Sequence, residues 1–405
     1  MSLATSVSRH AVSFIFITVF LDMVGFGLII PVTPKLIESI GSVSIAEAAT
    51  IGGGMFFVFG AMQFLFGPLL GNLSDTFGRR PMLLLAVFGL GLDYLLTALA
   101  THIWVLFLAR ALSGICGASY STANAYLADI TSPENRAKAF GKMGAAFGLG
   151  FTIGPAIGGI LGDVDPRLPF FVAAGISLMN FIYGYFVLPE TLAPENRRVF
   201  VLARANPWGA FRVFKSYPRV WPLGIVMFVY FFATSVYPAI WPFWGTAKYD
   251  WSSSTIGITL AVFGLSTAIV QGVFTGPVVK RIGESKTVVL ALGVAMISAV
   301  GYGLANSTWI VLALVVFHAP EGLFQPSITA LMSNEAPADA QGELQGGITS
   351  LQNLAMLVGT LAFSQVFGLF MKEDAVHRSP NISFYLAAGL CLAAIIMFLR
   401  IRRKA

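Results

Sequence analysis

Long apolar runs alternate with short polar turns along almost the whole chain. Stretches long enough for a helix to cross a bilayer, about 20 residues, fall at 11–36, 49–72, 82–100, 103–127, 137–162, 169–188, 219–243, 253–278, 286–305, 309–333, 344–371 and 382–401. The apolar–polar alternation of a barrel strand is missing from them. In hydrocarbon each backbone N–H and C=O must bond within its own segment, which a helix achieves. The pattern predicts an all-α membrane protein with twelve transmembrane helices in two pseudo-symmetric six-helix bundles.

The pattern repeats at half-length. Gly71 to Gly78 lines up with Gly276 to Gly283 at an offset of 205, and Pro133 with Pro337 at 204. The longest polar connection, Pro189 to Pro218, divides six spans from six. The expected organisation is an N-terminal bundle over 1–188, a linker over 189–218 and a C-terminal bundle over 219–405. Two similar halves of spanning segments form a transporter's layout.

Composition agrees. Of 405 residues, 11% are charged and 56% hydrophobic, too few charges to cover a soluble surface of this size. Of the 25 Lys and Arg residues, 19 fall on one set of loops and at the two ends, and that side is expected to be cytoplasmic. The net charge of +6 reflects this bias and gives no reason to expect nucleic acid. The first apolar run contains Asp22 and lacks a cleavage site of small residues, so it reads as a span and not a leader. Cys116 and Cys391 lie inside predicted helices and suggest neither a disulfide framework nor a metal site. With no Gly-x-x-x-x-Gly-Lys-Ser/Thr loop, pumping is expected to draw on a gradient, and no cofactor is implied.

Candidate chemistry lies in the charges inside spans. Asp22, Asp93, Arg110 and Glu321 sit in apolar segments, where a midplane charge costs ~2.5–3.5 kcal/mol on insertion scales. Each therefore needs a partner or a wet cavity. His318 and Glu321 are three apart and share a helix face, with Pro320 and Gly322 between and beside them to open the backbone. This pair is a candidate proton relay or, equally, a satisfied packing pair. Arg110 either holds a neighbouring carboxylate ionised or bonds backbone carbonyls. Gln63, Asn124, Tyr237, Trp241, Gln325, Gln352 and Asn353 are candidate substrate contacts. The alternative for these is helix bridging or lipid packing.

Between the second and third spans, Gly71, Asp75, Gly78, Arg79 and Arg80 suit a latch in which Asp75 faces a helix N-terminus and the arginines pair with acids such as Asp129. Gly150, Gly154 and Gly158 line one helix stripe beside Pro155 and Gly159, suiting either static packing or a face that rocks. Gly71-x-Leu73-x-Asp75-x-x-Gly78-Arg79-Arg80 resembles the signature loop of the major facilitator superfamily. The run from Arg110 to Ala118 resembles its fourth-helix motif. Gly150-x-x-x-Gly154-Pro155-x-x-Gly158-Gly159 resembles the fifth-helix motif of its drug–proton antiporters. The runs from Leu21 to Pro34 and Leu92 to Tyr94, with Thr255 to Ile258 and Gln341 to Gly346, are similar to its tetracycline-efflux branch.

This resemblance implies export of an amphipathic or cationic small molecule against protons by a functional monomer. It also implies a bacterial inner membrane with both termini cytoplasmic. Asp22 and Asp93 match acids of that branch. The branch's further acid in the ninth span is replaced here by Ser298, and Glu321 is the expected substitute. A proton-coupled importer and a non-transporting receptor are the other readings; nothing suggests an enzyme.

Overall fold

A computed structural model describes residues 2–117, 119–132, 135–201, 206–337, 340–375 and 377–404. Ala118 and Pro133, which figure in the motifs above, lie outside them. The described residues are largely helical, with no strand among them.

Among the described residues, twelve helices are long and apolar enough to span a membrane. They are α1 (Phe14–Gly41), α2 (Ile45–Phe77), α3 (Arg79–Leu99), α4 (Ile103–Ile130), α5 (Ala139–Val164) and α6 (Leu168–Val187), then α7 (Val220–Tyr249), α8 (Ser253–Ile282), α9 (Glu284–Leu304), α10 (Thr308–Ser333), α11 (Gln341–Met371) and α12 (Ile382–Arg403). Several outrun the hydropathic segment that announced them, α2 reaching 33 residues. Hydrogen bonding carries a helix beyond its last apolar residue until a turn stops it. Gly78 ends α2 with φ of +110°, and Gly283 ends α8 with φ of +81°, a region glycine enters without steric cost. The two glycines are the 205-residue repeat seen in the sequence, and each opens a 21-residue helix.

Among the described residues four spans are interrupted. In α1 a 3-10 turn runs over Ile30–Val32, with Pro31 inside it. In α7 the helix breaks at Ser235, where Pro238 has no N–H for the Thr234 carbonyl. In α10 Pro320 likewise leaves Val316 without its usual donor. Ala319 N–H takes that carbonyl, and Ala319–Leu323 tightens into a 3-10 turn. In α8 a π turn runs over Val270–Phe274.

The helices gather into two compact units. One comprises Met1–Ser42, Val58–Pro207 and Ser252–Ala261, the other Val43–Phe57, Trp208–Trp251 and Val262–Ala405. In the first, α5 lies along α1. A Cβ on Gly150 would come 2.6 Å from the Phe20 carbonyl oxygen, and one on Gly154 would come 2.7 Å from that of Val24. The glycine stripe is thus the groove that receives α1, packing in which small residues let backbones meet. Gly159 and Pro155, on a neighbouring face, abut residues 253–257. The second unit is built around Val226, Met227, Tyr230, Ala291, Leu292, Phe324 and Ile328, all buried.

Gly154→Leu is expected to lower the thermal midpoint of the detergent-purified protein, with the ~1–3 kcal/mol cost of overpacking. Gly148→Leu, where an added Cβ meets nothing within 4 Å, should leave it nearly unchanged. Equal midpoints for the two variants would contradict the packing role assigned to the stripe.

Candidate functional site

In the first unit, Asp93 on α3 has no exposure to solvent. Arg110 on α4 reaches it with one nitrogen, Nη2, which donates to Oδ1 at 2.8 Å and Oδ2 at 2.7 Å. The charge on Arg110 thereby finds a carboxylate and not merely backbone carbonyls. Charge-assisted bonds of this kind offset part of the cost of removing both ions from water.

Tyr94, next to Asp93, packs on Gly25 of α1, where a Cβ would lie 3.1 Å from its hydroxyl. One turn before Gly25 stands Asp22. Its Oδ1 is buried and accepts no hydrogen bond among the described residues. The unit thus holds two intramembrane acids in different states, Asp93 neutralised by an arginine and Asp22 without a cation beside it.

In the second unit the broken α10 presents His318 and Glu321, both buried. Their side chains meet, His318 Nε2 against Glu321 Oε2. The other carboxylate oxygen accepts from the Tyr230 hydroxyl of α7 at 2.6 Å. The opposite ring nitrogen of His318, Nδ1, lies 3.3 Å from the Tyr302 hydroxyl of α9. A polar string therefore runs Tyr230–Glu321–His318–Tyr302 across three helices. Ser298, in the place of the missing acid, is buried one turn before Tyr302.

Around the string lies an aromatic cluster. Trp241 is packed against Trp244, Trp251, Tyr302 and Phe384 and is almost fully buried. Tyr237 is half-buried, with its ring centre 4.8 Å from that of His318. Lys248 donates to the carbonyls of Tyr302 and Gly303 and to Asn381, over the faces of Trp244 and Tyr249.

The remaining polar candidates divide. Gln63 donates to the Gly117 carbonyl at 3.2 Å and bridges α2 to α4. Exposed Gln325 donates to Gln352 at 3.2 Å; Asn353 is exposed and Asn124 half-buried.

At the signature loop, Arg79 pairs with Asp75 at 2.5 Å and with Asp129 at 3.3 Å. Arg80 donates to the Tyr185 carbonyl at 2.7 Å. Sequence reading missed Glu190, whose carboxylate accepts from the backbone N–H groups of Arg79 and Arg80 and so caps α3. Gly78 leaves the space that the Glu190 carboxylate fills, whereas a Cβ on Gly71 would meet nothing within 4 Å. Sequence reading also gave no site role to Lys248 or Gln271; Gln271 stands inside an apolar run, the available signal, whereas Lys248 lies beside Asp250 at the polar end of its span.

The family description Major Facilitator Superfamily matches residues 15–360. The chain is 36% identical over 360 residues to tetracycline resistance protein, class C, of Escherichia coli, covering 89% of this chain and 90% of that protein. It is 27% identical over 381 residues to multidrug resistance protein 2 of Bacillus subtilis, covering 93% and 92%. Among solved structures, the nucleoside transporter NupG shares the fold with a TM-score of 0.80 at 12% identity, over 96% of this chain and 98% of that one.

Arg110→Leu strands the Asp93 carboxylate and is expected to cost ~3–5 kcal/mol of stability. Joining it with Asp93→Asn should restore much of the loss, because no unpaired ion then remains. Denaturation midpoints in detergent check both; a double variant no more stable than Arg110→Leu contradicts the pairing argument.

Proposed function

The chain belongs to the Major Facilitator Superfamily, and on that premise we propose that it expels an amphipathic or cationic small molecule in exchange for protons. It is a secondary transporter and not an enzyme. The observation that carries the exchange is Glu321 held between Tyr230 and His318 at the break in α10. An acid so placed inside a spanning helix is suited to loading and releasing a proton, because its surroundings change when the helix segment moves. Asp22 is the matching acid of the first unit. Asp93, tied to Arg110, serves as its fixed electrostatic background.

Exchange follows from charge balance. A protonated, neutral Glu321 is compatible with an empty site. An arriving cation favours the ionised form, and the released proton travels opposite to the substrate. The halves 1–188 and 219–405, joined by the linker 189–218, would alternate access as two bundles within one monomer. The Asp75–Arg79–Asp129 cluster would act as their latch on the cytoplasmic side, where the basic loops and both termini are assigned. The tetracycline resistance relatives make tetracycline the first substrate to try and a bacterial inner membrane the expected location. Ser298, where that branch carries an acid, shifts the burden to Glu321.

Everted membrane vesicles test this reading. An inside-acid gradient should drive tetracycline into vesicles bearing the native chain. Glu321→Gln should bring uptake down to the level of vesicles lacking the protein, at equal membrane abundance and thermal midpoint. Undiminished gradient-driven uptake by that variant would remove Glu321 from the coupling scheme.

A further inference from the structure

Two interrupted helices meet inside the second unit. The π turn of α8, Val270–Phe274, packs on the 3-10 turn of α10, Ala319–Leu323. The bridge between them is Gln271, whose Nε2 donates to the Gly322 carbonyl oxygen at 3.2 Å. The approach leaves little room for a side chain at 322. A Cβ there would lie 3.0 Å from Gln271 Nε2 and 3.0 Å from Thr267 Cγ2. Thr267 and Gln271 stand one turn apart on the same face of α8. π turns are frequent at functional positions, and carbonyls freed in a broken spanning helix are ready acceptors for a ligand.

The placement relative to Glu321 gives this bridge its meaning. Gly322 is the residue after Glu321, so Gln271 holds the backbone that carries the buried acid. Gln271 itself is exposed, as is Gln325, one turn beyond Glu321. An amide at the protein surface is therefore coupled by one hydrogen bond to the segment that carries the Glu321 contacts with Tyr230 and His318.

We infer that Gln271 is the positioning residue through which bound substrate acts on Glu321. This rests on the transport reading above and names the substrate chemistry it requires. A molecule bearing a neighbouring donor and acceptor, such as a hydroxyl beside a carbonyl, exchanges with the bridge. Its donor takes the Gly322 carbonyl, and its acceptor receives the Gln271 amide. The hydrogen-bond count is conserved, so the exchange carries no unsatisfied-group penalty. The Ala319–Leu323 turn is released from α8, and the Glu321 carboxyl group shifts against Tyr230. A hydrophobic cation without hydrogen-bonding groups cannot make this exchange.

Proteoliposomes with a trapped pH dye provide the test. Tetracycline, with neighbouring hydroxyl and carbonyl groups, and tetraphenylphosphonium, with neither, are the probes. In the native chain tetracycline should raise proton flux over its resting value. In Gln271→Met that stimulation should fall ~10-fold, equivalent to about 1.4 kcal/mol of coupling, with the resting flux persisting. Gln271→Leu, which also lacks the donor, should behave alike and covers the case in which Gln271→Met fails to fold. Glu321→Gln should abolish both fluxes, separating loss of the acid from loss of the link. Native stimulation retained in a folded Gln271 variant overturns the inference, as does tetraphenylphosphonium-driven flux that depends on Gln271. No stimulated flux from the native chain with either probe overturns the transport reading, and this inference with it.

Discussion

An ionised side chain inside hydrocarbon has to find a partner within the protein, and the polar interior of this chain is arranged by how each such group is met. Arg110 and Asp93 meet each other across α3 and α4 through two short bonds. Glu321 is met by a phenol and an imidazole. Lys248 is met by two carbonyls, an amide and two aromatic faces. These solutions differ in reversibility. A guanidinium stays charged at any working pH, so Asp93 is committed to its partner. Phenol and imidazole can stay with an acid whether or not it carries a proton, so Glu321 has no such fixed commitment. The cost of burying charge is thus met in two ways, by a cation at Asp93 and by neutral hydrogen-bonding groups at Glu321.

The same logic explains where the helices break. An uninterrupted spanning helix satisfies its own backbone and offers nothing to a neighbour. Pro320 removes a backbone donor of α10 just before Glu321, and the π turn of α8 stands against that break, with Gln271 on the Gly322 carbonyl. In the first unit the close fit of α5 on α1, set by Gly150, Gly154 and Gly158, gives Asp22 a firm support because α1 has little room to shift.

Much of this was legible before any coordinates. A run of twenty apolar residues has one stable form in a bilayer, so the twelve spans could be counted from hydropathy alone. The 205-residue echo between Gly78 and Gly283 reappears as two left-handed glycine turns, each opening a helix of equal length. The acids in apolar runs were visible because charge is rare there. His318 and Glu321, three apart on one helix, were legible as neighbours because helical geometry is local. Whether Trp241 faced a cleft or a core was not legible, since an aromatic residue in either place has the same local sequence; the structure packs it among Trp244, Trp251, Tyr302 and Phe384.

The sequence by itself determined the fold class, the number of spans, the family and the identity of the buried acids, since each follows from composition, period or motif along the chain. Only the tertiary structure decided which acid has a cation beside it, since Asp93 and Arg110 are 17 residues apart and Asp22 is equally apolar in its surroundings. It alone brought Tyr230 to Glu321 across 91 positions, Glu190 to the start of α3 across 111, and Gln271 to Gly322 across 51. Pairings of this kind depend on how helix faces are turned toward one another. That rotation is set by packing of small and large side chains between helices, and no local stretch of sequence encodes it.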